Sequence, residues 1–196
     1  MHGHALHPLM SEAAAEAGRL AAEVRPEQLA GPTPCTEFDT KALVNHWVAY
    51  TSYGLERRAL REPLPEDLAT RDYTAEPDWA GAYRKQLDRA VAAWADPAAW
   101  EGEIDLGGSP VAADGVAKLL IAETVLHGWD LARATGGRFA VSEELAALVL
   151  AVVEENAELY RQYGGFAEAV PTAGEASALD RALAASGRDP QWAPAG

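Results

Sequence analysis

The chain has 196 residues and a formal net charge of −14, a length that suits one domain and a charge that excludes the basic patch a nucleic-acid binder needs. The same charge excludes docking on an anionic membrane surface, and no apolar stretch approaches the roughly 20 residues that span a bilayer. Cys35 is the single cysteine, so no internal disulfide is possible; the N-terminus lacks an apolar run behind a basic segment, and the expectation is a cytoplasmic protein without a signal peptide.

Residues 1–9 (MHGHALHPL) read as a flexible tail, followed by one helical domain over 10–192. Ser11 to Val24 is Ala-rich with Glu12, Glu16 and Glu23 outward, which predicts a first helix ending before Pro26. Two prolines and a glycine make residues 30–38 a loop. Asp39 then supplies a carboxylate for the orphan N–H groups of a second helix running to Leu60, with Leu43, Trp47 and Tyr50 at helical spacing. Arg57, Arg58 and Arg61 fall near its C-terminal end, where cations suit the helix dipole. Pro63 and Pro65 open a polar linker, and Asp78 caps a third helix that buries Trp79, Leu87, Val91 and Trp94 and stops before Pro97. The segment 100–110 alternates weakly and contains Gly107–Gly108, so it is a loop or a short strand. A fourth helix runs from about Val111 to Thr135 and stops at Gly136–Gly137. Ser142 caps a fifth, with a stripe of Leu145, Leu148, Val149, Val152 and Val153, ending near Gly164–Gly165; a short helical pattern around 176–185 covers the bundle. Long helices with little strand between them predict an all-α protein, an antiparallel four-helix bundle with extra short helices and long loops.

Three of the five histidines, His2, His4 and His7, lie in the expected tail, where they could at most gather a stray metal. The other two lie inside helices. Val116, Leu120, Glu123, His127 and Leu131 recur at spacings of three and four, so Glu123 and His127 share an otherwise apolar face. A buried carboxylate needs compensation, and two kinds are open: a hydrogen-bonded Glu–His pair, or a metal ion. His46, beside Leu43 and Trp47 on the second helix, extends the set to two imidazoles and one carboxylate. That is the donor set of a catalytic zinc site with an open position, and equally of a non-haem iron site.

These residues also carry a resemblance. GPTPCTEFDTKALVNHWVAY around His46, AETVLHGWDLARATG around His127 and RALAASGRDPQW near the end resemble the DinB-like and mycothiol-dependent maleylpyruvate isomerase-like proteins of actinobacteria. The resemblance implies a four-helix bundle with a divalent metal at one end of its core, held by His46, Glu123 and His127. It further implies zinc, with iron, nickel or manganese as alternatives, a low-molecular-weight thiol such as mycothiol as co-reactant, a small-molecule substrate, and a homodimer.

Other residues carry paired readings. Asp130 either accepts the other ring N–H of His127 or serves as a surface or cap residue. Arg133 either contacts an anionic substrate or cofactor or is a solvated helix-end cation. Cys35 is a thiol at the mouth or a buried small residue, and Trp47 and Trp129 are pocket walls or plain core. The functional expectation is a metal-dependent thiol transferase or isomerase; the alternative is a non-catalytic protein that binds metal or a small ligand.

Overall fold

The computed structural model describes residues 3–172 and 174–194, with side chains from Ala5 onward. Its helices are α1 (Gly3–Ala21), α2 (Thr40–Val48), α3 (Leu55–Ala59), α4 (Glu66–Ala69), α5 (Trp79–Ala93), α6 (Ala113–Thr135), α7 (Glu143–Gln162) and α8 (Ala178–Ala185). The chain is all-α with an antiparallel four-helix bundle at its centre. α1 packs along both α5 and α6, α2 lies on α6, and α3 lies on α5, which closes the ring; α7 packs on the far side of α6 and carries α8. The segment read as loop or short strand is a hairpin, β1 (Glu103–Asp105) paired antiparallel with β2 (Pro110–Ala112), Ile104 opposite Val111.

α6 sits between two cores. On one side Leu20, Leu43, Trp47, Tyr83, Leu87 and Leu131 fill the bundle; on the other Val116, Ile121, Val125, Leu145, Val149 and Leu183 join α6 to α7 and α8. Every residue from Thr124 to Ala132 is therefore buried, as expected of a helix with packing partners on opposite faces. Gly128 makes this possible next to His127: a Cβ there would meet Phe139 at 3.1 Å and Trp47 at 3.5 Å.

Several local expectations are borne out. Asp39 Oδ1 accepts the Ala42 N–H at 2.7 Å, Ser142 caps α7 by accepting from the Leu145 N–H, and Gly136 ends α6 in the left-handed conformation. Three need correction. Residues 3–9 are the start of α1 rather than a flexible tail: Leu6 and Leu9 lie on the same buried face as Met10 and Ala13. Pro8 disguises this in the sequence, since an interior proline normally argues against helix, but this early it costs only the bond to the carbonyl of residue 4. The second predicted helix is not uniform; residues Ala49–Gly54 form a π-turn between α2 and α3. Thr51 Oγ1 donates to the Trp47 carbonyl or to Tyr83 Oη, both 2.6 Å away, and Ser52 Oγ donates to the Val48 carbonyl at 2.6 Å; these back-bonds fit a locally widened helix. Asp78 precedes α5 but its carboxylate accepts no capping hydrogen bond, lying within 2.8 Å of where a Cβ on Gly81 would be, and Trp79 is only partly buried.

Candidate metal centre

His46 projects from α2 and Glu123 and His127 from α6, one helical turn apart. Trp47 fixes the two helices beside the site: its Nε1–H donates to the Thr124 carbonyl at 3.1 Å, so the neighbour of His46 is tied to the neighbour of Glu123. Glu123 Oε1 lies 2.7 Å from His46 Nε2 and 3.3 Å from His127 Nε2. All three candidate ligand atoms fall within 4.8 Å of one another. A tetrahedral ion with ligand bonds near 2.1 Å sets its donors about 3.4 Å apart, so the group is close to the spacing an ion demands. Each ring nitrogen aimed at this carboxylate oxygen either carries a proton and donates it or shares a metal ion with that oxygen.

His127 is held from behind. Its Nδ1 lies 2.9 Å from Asp130 Oδ2, which fixes the ring and points Nε2 toward Glu123. Asp130 is fully buried, and its charge is answered by the buried Arg188, whose Nε and Nη2 donate to the carboxylate at 2.8 to 3.0 Å. Arg188 Nη1 also donates to Ser186 Oγ at 3.0 Å. Burial alone would lower the His127 pKa, but the Glu123 charge and the hydrogen bond to Asp130 override it and raise it to about 9. Burial would likewise raise Glu123 and Asp130, yet the His127 charge holds Glu123 low, and the Arg188 charge holds Asp130 low. These low pKa values keep Glu123 and Asp130 ionised at neutral pH.

A cavity of about 200 Å³ opens onto this group, walled by Phe38, Leu119, Leu126, Val153, Tyr160 and Phe166 among others. The Phe38 ring lies 4.9 Å from that of His46 and 5.9 Å from that of His127, and the Tyr50 ring lies 4.6 Å from that of His46. Cys35 and Glu37 stand at this cavity too. Burial pushes the Cys35 thiol up to about 11, so it stays protonated at neutral pH despite the nearby Arg188 charge. Cys35, His127 and Asp130 also converge within 4.8 Å, but Asp130 is already committed to Arg188.

The structure thus brings His46, Glu123, His127 and Asp130 together, while Arg133 lies elsewhere. Its guanidinium donates to the Trp192 carbonyl and stacks over Trp129, and neither Arg133 nor Trp129 is among the cavity walls. Trp47 is buried bundle core rather than a wall. His7 Nε2 contacts the Val91 carbonyl at 3.0 Å, and His2 lies outside the described residues, as does the side chain of His4. Arg188 and Phe38 carry no expectation in the sequence. The available signal for Arg188 was the buried Asp130, which needs a cation; for Phe38 there is only its place in the loop before α2.

Residues 10–132 match the family model described as the mycothiol maleylpyruvate isomerase N-terminal domain. Two uncharacterized proteins from two strains of Mycobacterium tuberculosis are each 30% identical to the chain over 191 residues, covering 93% of it and 98% of their own length. The crystal structure of the mycothiol-dependent maleylpyruvate isomerase superposes with a TM-score of 0.67 at 14% identity, covering 97% of this chain and 91% of that one. At that identity the likeness shows a shared fold.

Proposed function

Since the chain belongs to the mycothiol maleylpyruvate isomerase N-terminal domain family, we propose that it is a divalent-metal-dependent enzyme that uses a low-molecular-weight thiol of the mycothiol type as transferase or isomerase. The observation that carries this reading is the convergence of His46, Glu123 and His127, from two helices, at the floor of an apolar cavity. Zinc fits two imidazoles and one carboxylate with a position left over; iron, nickel and manganese fit the same donors. A divalent ion there supplies acidity, lowering the pKa of a thiol beside it and orienting its sulfur as nucleophile.

The chain's own residues do the rest. Asp130 holds the proton on His127 Nδ1, which leaves the Nε2 lone pair for the ion, and Arg188 keeps Asp130 ionised without a solvent counterion. Phe38, Leu126, Val153 and Phe166 exclude water from the reacting atoms, and Trp47 maintains the spacing of α2 from α6.

The test is elemental analysis of tag-free protein purified without added metal or chelator, followed by mycothiol conjugation to a generic electrophile. Near one equivalent of metal, with conjugation above the chelator-treated control, is the expected result, and His46→Ala should lose the metal while keeping its helical circular dichroism. A metal-loaded protein that conjugates nothing would be a binding protein. No metal and no uptake on reconstitution would leave His46, Glu123 and His127 as a hydrogen-bonded cluster and remove the reading.

A further inference from the structure

A second cavity of about 180 Å³ adjoins the metal cavity and shares Leu119, Glu123 and Tyr160 with it. Its other walls are mostly aliphatic: Leu64 on the loop before α4, Leu106 at the hairpin turn, and Val116 and Leu120 on α6. Beside Glu123 it holds one charged residue, Arg58, whose Nη1 already donates to the Asp105 carbonyl at 3.0 Å. With His46 and His127 neutral as ligands, the metal cavity has one cationic wall residue, Arg188, and its charge is matched by Asp130 through three contacts of 2.8 to 3.0 Å. Its other charged walls, Glu37 and Glu123, are acids.

Charge balance then limits what can react here. The two positive charges of a divalent ion are matched by Glu123 and by one thiolate, so within the metal cavity no cation is left over to receive an anionic reacting group; Arg58, whose charge no carboxylate among the described residues matches, lines the adjoining cavity instead. A dicarboxylate would enter a low-dielectric cavity with Glu37 beside it and with a formal chain charge of −14 around it. An apolar chain, by contrast, finds five aliphatic walls beside Glu123, namely Leu64, Leu106, Val116, Leu119 and Leu120, with Tyr50, Gly54, Arg58 and Tyr160 completing the cavity.

From this we infer that the co-substrate is an uncharged, elongated apolar electrophile, its reactive end in the metal cavity and its tail between Leu64, Leu106, Val116 and Leu120. The chemistry rests on the thiol-transfer reading above; the tail site does not. With an α,β-unsaturated ketone the thiolate sulfur bonds to the β-carbon, the π pair moves to the α-carbon, and that carbon takes up the proton the thiol released. Nothing is oxidised or reduced and no group leaves.

The experiment has two arms. In the first, saturated 2-alkanones from five to ten carbons are titrated calorimetrically into the metal-free chain. Affinity should rise with length, by up to about fourfold for each methylene that enters the cavity. Leu64→Asp, on a loop and so without consequence for the helices, should flatten the series, and so should Leu120→Trp, which fills the cavity. Equal affinity for the shortest and longest ketones, or a Leu64→Asp series as steep as the parent one, overturns the tail site. In the second arm, the metal-loaded protein and mycothiol are given the matching enones and maleylpyruvate. The ten-carbon enone should exceed the dianion at least a hundredfold in kcat/KM; comparable or faster turnover of maleylpyruvate overturns the charge argument. If the ketones bind by length but no enone or maleylpyruvate reacts, the tail site stands and the enzymatic reading is what has failed.

Discussion

Replacing Arg188 by methionine removes the one arginine, among the described residues, that reaches the fully buried Asp130 carboxylate, while nearly preserving side-chain volume. The structure fixes what is lost: three charge-assisted contacts of 2.8 to 3.0 Å to Asp130 and one of 3.0 Å to Ser186 Oγ. Breaking one side of such a buried pair costs about 3–5 kcal/mol, because the remaining charge keeps its desolvation penalty. His127 still faces Asp130 at 2.9 Å, which places the Arg188→Met loss toward the lower figure at neutral pH. Asp130→Asn strands the arginine instead and should cost a similar amount. Against a slope of about 2–3 kcal/mol per molar urea, each single change lowers the unfolding midpoint by about 1–2 M. The double variant leaves no buried charge unpaired, so its loss should fall short of the sum by about 2 kcal/mol or more. The assay is urea unfolding of chelator-treated protein at pH 7.5 for the four members of the cycle. Single losses under about 1 kcal/mol, or losses that add within about 0.5 kcal/mol, would refute the assignment of this pair as a buried, mutually dependent unit.

The metal-free protein should lose stability as pH rises. His127 titrates at about 9 folded and near 6.5 unfolded, so its contribution, on the order of 3 kcal/mol, is fully present below about pH 6.5 and gone once pH passes through 9. His127→Gln should abolish that slope in urea midpoints taken from pH 6 to 9.5, and an unchanged slope would remove the cause given. Cys35, raised to about 11, should react with a disulfide reagent at pH 8 at least a hundredfold more slowly than a free thiol, a rate absent in Cys35→Ser; reaction at the free-thiol rate would show the site is not desolvated as drawn. Trp47→Phe leaves the Thr124 carbonyl without its indole donor; it should destabilise the fold by about 1–3 kcal/mol and weaken zinc binding roughly tenfold in competition with a chromophoric chelator. Zinc affinity equal to that of the parent would mean the helix spacing does not depend on that bond.

Much of the fold was legible because it rests on local signals. Asp39, Ser142 and Gly136 mark helix ends through backbone groups within a few residues, and the three- and four-residue spacing puts Glu123 and His127 on one face of α6. The errors lie where a local rule meets a tertiary contact. Pro8 argues for a tail until Leu6 and Leu9 are seen to pack, and Thr51 and Ser52 look like ordinary helix residues until their hydroxyls bond backward. The donor set was readable from residue type and face, but the partner of Asp130 was not. Arg188 lies 58 residues away, beyond α7 and α8, and no periodicity links the two. Arg133, one turn from Asp130 and far more visible, serves the backbone of Trp192 instead.

The π-turn at Ala49–Gly54 divides one continuous helical rod into two parts with separate duties. Upstream, α2 carries His46 against α6; from the turn onward, Tyr50, Gly54 and Arg58 recur every four residues along the wall of the aliphatic cavity. Because a widened turn takes up rotation, the downstream part can swivel or change its residues without turning His46 away from Glu123. Under the proposed function, substitutions downstream of the turn would change what the cavity accepts while leaving His46, Glu123 and His127 in place.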